Sequence, residues 1–144
     1  MARIKIIEAG QIPDTLPTYT NTRGTWVRFA GQDVEGWAVF MHGTTLSISN
    51  LEGHEFYIET GYENVQNISR VDDAVPESIT PLLTEGDFLV QATVKDVAED
   101  GVIFCSAGDF NFMIQVSTEI KSQLMAGMKL SMEVDGLSLW DENV

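Results

Sequence analysis

The sequence is poor in the residue types from which disulfides, metal sites and membrane segments are built. It has a single cysteine, Cys105, so no disulfide can form within the chain. Its two histidines, His42 and His54, fit no zinc-binding spacing. No uncharged apolar run is long enough to span a membrane, and the amino terminus is charged too early to resemble the apolar centre of a signal peptide. We therefore expect a cytoplasmic protein that does not bind membranes.

Basic residues are also scarce. The chain has 8 Lys and Arg against 22 Asp and Glu, which gives a formal net charge of -14. Nucleic-acid affinity comes largely from basic side chains that contact phosphates, so this charge disfavours a nucleic-acid partner. The same charge would attract a basic protein, or would simply keep the protein soluble and monomeric. A length of 144 residues with 44% hydrophobic residues is typical of a globular protein that folds alone.

Motifs that carry catalysis are absent from the sequence as well. There is no Gly-x-Ser-x-Gly sequence to expose a serine nucleophile, no glycine-rich phosphate loop followed by a lysine, and no alternating acidic calcium loop. Cys105 lies in the apolar run 102–105, where we expect a buried and unreactive thiol. We interpret the acidic pairs as solvated surface: Asp72-Asp73, Glu85 with Asp87, and Asp141-Glu142.

His42 and His54 are the side chains that an enzyme or a metal site would most need. Together with Glu52 and Glu55 they could supply metal ligands if the strands that carry them folded against one another. No spacing in the sequence requires that arrangement. We therefore predict no catalytic, metal-binding or cofactor-binding residue, and a protein that is not an enzyme.

Apolar residues recur mostly with period two, which predicts a mainly β fold. In the first half of the chain, strands separated by turn residues indicate an antiparallel meander in which Trp26 and Trp37 pack as core. Between residues 67 and 84 the alternation lapses around two prolines, so we predict a boundary near residue 80, with a sheet lobe at 1–80 and a second lobe at 81–144. The predicted strands of the meander are 3–8, 26–29, 37–41, 44–49 and 56–58.

The second lobe has a distinctive order of elements. Alternation predicts three strands, at 88–95, 102–107 and 110–116, and a change to period four predicts a short helix within 117–128. Two further strands, at 130–134 and 137–140, flank a hairpin signal at Asp135-Gly136.

Over residues 85–141 this order resembles the oligonucleotide/oligosaccharide-binding (OB) fold. That fold is a five-stranded Greek-key barrel whose helix commonly lies between the third and fourth strands. The resemblance rests on element order, and it implies that the amino-terminal meander is followed by a small OB-like five-stranded barrel with one short helix.

The resemblance also indicates a candidate interaction surface. The second and third strands of such barrels often carry aromatic and basic residues that bind nucleic acids. Here those strands carry Phe104, Phe110 and Phe112 but neither lysine nor arginine. Trp140, near the end of the chain, is a further interface candidate, although closure of the barrel would explain it equally well. We therefore predict a surface that includes Phe104, Phe110, Phe112 and Trp140.

These observations favour a non-enzymatic, acidic protein-binding module of the adaptor, immunity or inhibitor type, which docks on a protein partner that could be basic. One alternative is an oligomeric structural β-subunit paired through strand edges, or a barrel that binds a small ligand. Another is a nucleic-acid-binding OB domain, which the charge disfavours.

Overall fold

The structure, a computed structural model, describes residues 2–13, 24–42 and 51–142. The predicted strand at 44–49 lies outside these ranges. Strands dominate the described chain, which confirms the mainly β fold class, and no helix in these ranges is long and apolar enough to cross a membrane. The elements are β1 Ala2–Gly10, β2 Thr25–Gly31, β3 Val34–Met41, β4 Glu55–Gly61, β5 Asn64–Val71, β6 Ser78–Pro81, β7 Phe88–Val97, β8 Val102–Ala107, β9 Phe110–Gln115, α1 Thr118–Lys121, β10 Lys129–Asp135 and β11 Ser138–Asp141.

Five strands form a closed barrel, in the order β1-β2-β3-β11-β4, and β4 pairs with β1 to complete the closure. All neighbours are antiparallel except β3 and β11, which run parallel. Alternate residues point inward, as period two requires, and fill the interior with Ile4, Ile6, Phe29, Phe40 and Leu139. The architecture is compatible with an OB-like barrel.

The second sheet contains β5-β10-β7-β8-β9, with β6 beside β7. The long strand β7 organises this sheet. One of its edges pairs with β10, while its other edge pairs first with β6 and then with β8. The helix α1 is shorter than the predicted span, because the chain leaves helical geometry after Ser122 and turns through Gly127 at φ 94°. Ser117 caps the start of α1 by accepting a hydrogen bond from the Ile120 N–H.

The order of three strands, one helix and two strands is confirmed, but the closed barrel is not built from residues 85–141. Four of its strands come from residues 2–61, and only β11 comes from the carboxy-terminal segment. The reason is that Asp135-Gly136 is not a hairpin turn. Gly136, at φ 67°, passes the chain out of the second sheet, and β11 pairs with β3 and β4 instead of β10.

Strand pairing also crosses the predicted boundary at residue 80. β5 pairs with β10, and β6 pairs with β7, so residues from both sides of the boundary share one sheet. The second sheet is thus inserted between the fourth and fifth strands of the barrel. Whether residues 1–80 and 81–144 fold as separate lobes stays a prediction that pairing alone does not test.

The barrel and the second sheet share one continuous hydrophobic core. The ring of Phe29, inside the barrel, lies 6.1 Å from the ring of Phe88 and 6.5 Å from that of Phe110, both in the second sheet. Gly36 permits this approach, because a Cβ atom there would lie 2.7 Å from the Phe88 ring. A smaller cluster on the outside of the barrel contains Trp26 and Trp37, whose rings stack at 5.6 Å.

Candidate functional site

A cleft of about 540 Å³ lies between barrel strand β4 and the β8–β9 hairpin of the second sheet. Two side chains from the barrel, those of Thr60 and Tyr62, connect β4 and the residue after it to the hairpin. The Thr60 hydroxyl donates a hydrogen bond to the carbonyl of Asn111, and the Tyr62 hydroxyl donates one to the carbonyl of Met113 at 2.7 Å. Both acceptors belong to the outer edge of β9, so the position of the hairpin relative to the barrel is fixed.

The sheet wall of the cleft is apolar and accessible. Phe104 and Met113 are paired across the hairpin and are 41% and 60% exposed. Alternation explains their position: their neighbours Cys105 and Phe112 point into the core and contribute only the floor of the cleft. Lys95, from β7, also lines the cleft.

The barrel wall carries the acidic side chains of the cleft. Glu59 lies on the outer face of β4, and Glu142 follows the end of β11, where its backbone N–H donates to the carbonyl of Tyr57 at 3.0 Å. Partial removal from water raises the pKa of the Glu142 carboxyl, and the neighbouring Glu59 carboxylate raises it further. The ion pairs between described residues are Arg3–Glu55, Arg28–Glu8 and Arg28–Glu35, none of which includes Glu59 or Glu142.

A second hollow of about 350 Å³, here called the tryptophan hollow, adjoins the cleft. Trp140 is 45% exposed there, and its strand neighbours are Met41 on one side and Glu59 on the other. His42 also lines the hollow. Because Glu59 and Glu142 line both the hollow and the cleft, the two form one connected surface with the carboxylates between them.

Three of the four predicted surface residues line this connected surface. Phe104 and Phe112 line the cleft, and Trp140 lines the tryptophan hollow. Phe112 is only 3% exposed and forms part of the floor, whereas Phe110, at 2%, is buried in the core and lines neither. The difference in exposure follows from alternation along β8 and β9. Phe104 pairs with Met113, so the odd-numbered residues of β9 share its exposed face, and the even-numbered Phe110 and Phe112 are on the buried face. That rule would have identified Met113, whereas nothing in the sequence places Glu59 beside Glu142.

Of the side chains considered for metal binding and thiol chemistry, His42 has a hydrogen-bonding neighbour, Cys105 is buried and His54 is exposed. The Nε2 atom of His42 lies 2.8 Å from the Thr25 hydroxyl, whereas His54 is exposed in the turn before β4. Among the residues that the structure describes, no three His, Cys, Asp or Glu side chains converge on a position that could hold a metal ion. The predicted burial of Cys105 is confirmed, and that burial raises the pKa of its thiol to about 12.

Comparisons with protein-family models, with curated proteins and with solved structures give no match. The function must therefore be argued from the chemistry of the cleft and the tryptophan hollow.

Proposed function

We propose that the protein is a non-enzymatic binding module, of the adaptor, immunity or inhibitor type, that docks on a basic protein through the cleft and the tryptophan hollow. The observation that carries this proposal is the exposure of Phe104, Met113 and Trp140 on one connected surface. Aromatic residues and methionine are enriched at protein interfaces, and a few buried aromatic anchors often supply most of the binding energy.

The charge of the chain supports a basic partner. A formal net charge of -14 creates a negative field that accelerates the encounter with a positively charged protein. Arg3 and Arg28, on the outside of the barrel, are already paired with glutamates. These pairs also make the barrel a poor surface for phosphates, so we place nucleic-acid binding behind protein binding.

The proposal is tested by comparing what two immobilised variants capture. Phe104→Ser with Trp140→Ser removes both aromatic anchors, and Leu83→Ser with Met125→Ser removes two other exposed apolar side chains as the matched control. A partner captured by the unmodified protein is then purified and its affinity measured at several salt concentrations. We expect the first variant to lose about tenfold or more in affinity and the control to lose little.

Two results would contradict the proposal. One is a partner whose affinity is the same for both double variants, since that partner binds elsewhere. The other is an affinity indifferent to salt, because attraction between exposed charges is screened within a Debye length of about 8 Å at physiological salt. Circular dichroism of each variant verifies that the fold is retained.

A structural β-subunit is a second candidate, favoured by the edge of the second sheet. In the described chain β5 pairs only with β10, so its other edge carries backbone groups that could pair with another copy. A mass that increases with protein concentration in light scattering supports this candidate, and a constant monomer mass removes it. For either candidate, we propose a cytoplasmic location and an OB-like ancestry of the barrel.

A further inference from the structure

The carboxylates of Glu59 and Glu142 separate two apolar parts of the connected surface. Phe104 and Met113 lie on the cleft side, and Trp140 lies on the side of the tryptophan hollow. Building on the proposed function, we propose that the partner inserts a segment in which a lysine or arginine is flanked by apolar side chains. The cation binds between the two carboxylates, while the apolar side chains enter the cleft and the hollow.

The register of the barrel places the cation site next to an aromatic ring. Glu59 is directly opposite Trp140 in the β4–β11 pair, and both side chains are on the outer face. A cation held by Glu59 therefore lies close to the indole of Trp140. Cations are attracted to the faces of aromatic rings, and tryptophan is the best of the aromatic residues in this respect. An arginine can also bind a carboxylate with two parallel hydrogen bonds.

The charges that act on Glu142 are those of Glu59 and Asp141, which raise its pKa, and that of the chain's amino terminus, which lowers it. No ion pair between described residues involves Glu59 or Glu142, and their proximity raises the pKa of Glu142. Like charges at short range disfavour joint ionisation, and a cation from a partner would relieve that repulsion. Charge complementarity thus favours a basic occupant at this position over a neutral or acidic one.

Lys95 restricts where the cation can bind. This lysine lines the cleft together with Phe104 and Met113, so a second positive charge inside the cleft would be repelled. The exposed Phe104 and Met113 favour an apolar occupant on the sheet wall near Lys95, and the two carboxylates favour the basic residue on the barrel wall. Volumes of about 540 and 350 Å³ for the cleft and the hollow are within the range of pockets that bind compact ligands, and each can take a large side chain.

The test is selection from a random library of displayed peptides. The library is panned on the unmodified protein, and each enriched peptide is then synthesised and its affinity measured for three variants. Glu59→Gln with Glu142→Gln removes the carboxylates, and Phe104→Ser with Trp140→Ser removes the aromatic anchors. Glu85→Gln with Glu99→Gln changes the net charge equally at exposed residues that line neither the cleft nor the hollow, and serves as the control.

We expect enriched peptides with a lysine or arginine between apolar residues. Their affinity should fall about tenfold or more when the carboxylates are removed and less than about twofold in the charge-matched control. Peptides that depend on Phe104 and Trp140 but lack a basic residue, or that bind the Glu59→Gln, Glu142→Gln variant unchanged, would overturn this inference and leave the proposed docking surface standing. If no enriched peptide depends on the aromatic anchors, both the inference and the docking surface are wrong.

Discussion

At the scale of single residues, some carboxylates of this acidic chain lie close enough to one another to change a pKa. Asp135 is an example at the junction of the barrel and the second sheet. It is largely buried, it accepts a hydrogen bond from the Gln66 amide at 2.8 Å, and the nearby Asp87 carboxylate accepts one from the Gly136 N–H at 3.0 Å. Loss of hydration raises the pKa of Asp135, and repulsion from Asp87 raises it further. Ionised Asp135 therefore opposes folding.

Asp135→Asn should raise the melting temperature near neutral pH. A carboxyl whose pKa is higher in the folded than in the unfolded state destabilises the fold as pH rises from its ordinary value of 3.8 through the raised value. The amide keeps an acceptor for Gln66 and cannot ionise. The gain in melting temperature should thus be largest near pH 7 and should shrink in acid. A difference that is independent of pH, or a variant less stable at pH 7, would contradict this; Asp73→Asn, at an exposed position, is the control.

If the protein binds a basic partner as proposed, the carboxylates of the connected surface predict that binding depends on pH in the opposite direction. The raised pKa of Glu142 means that a proton competes with a partner's cation for this side chain. We expect the affinity for a selected basic peptide to fall as pH is lowered through the titration of Glu142. Titration calorimetry in two buffers of different ionisation enthalpy should detect proton release on binding at mildly acidic pH, and Glu142→Gln should abolish it. Equal heats in both buffers would count against a cation at this position.

At the scale of strands and hairpins, the packing of the barrel against the second sheet depends on residues without side chains. A Cβ atom at Gly36 would lie 2.7 Å from the ring of Phe88, whereas a Cβ atom at Gly10 would meet no atom within 4 Å. Both glycines are in barrel strands, so they form a matched pair. Comparing alanine substitutions at the two positions separates the effect of crowding between the sheets from the general effect of adding a methyl group to a strand.

Gly36→Ala should destabilise the protein by about 1–3 kcal/mol, the usual range for overpacking a core. Gly10→Ala should change the free energy of unfolding by much less, as measured in urea. Phe88→Leu replaces the opposing ring with a shorter side chain. In the Gly36→Ala background it should recover part of the lost stability, because the clash is with that ring. Equal effects of the two glycine substitutions would show that the contact with Phe88 is not the cause.

The hydrogen bond from Tyr62 to β9 can be tested separately. Tyr62→Phe removes a donor to the Met113 carbonyl without removing the ring, so we expect a loss of about 0.5–1.5 kcal/mol. Amide hydrogen exchange should accelerate in β9 more than in β7, which lies inside the sheet. Unchanged exchange in β9 would mean that the hairpin does not need this bond to stay beside β4.

The strands were largely predictable from the sequence, whereas their partners were not. Alternation along 88–95 and 110–116 marks one buried face, because period two is a local property of a strand. The partner of β11 is set by contacts with β3 and β4, which are distant in the chain. The same limit applies to the site, since the pairing of Phe104 with Met113 is local to a hairpin and the approach of Glu59 to Glu142 is not.

At the scale of the whole molecule, the barrel and the second sheet carry separate intrinsic probes. Trp26, Trp37 and Trp140 all belong to the barrel, and the single cysteine, Cys105, is buried in the second sheet. Because one hydrophobic core runs through both, we expect tryptophan fluorescence and the labelling of Cys105 by a thiol reagent to report the same urea midpoint. Labelling at a lower urea concentration would instead indicate two lobes that unfold independently.

The insertion of the second sheet between β4 and β11 has a consequence for synthesis. A ribosome delivers the first four barrel strands early, yet the fifth emerges only after the whole of the second sheet. Until then β3 and β4 have no partner between them, and their unpaired edges are open to other chains. A nascent chain therefore cannot close its barrel before residue 138 has left the ribosome, and a stop codon only slightly upstream would release a product with two unprotected strand edges and a tendency to aggregate.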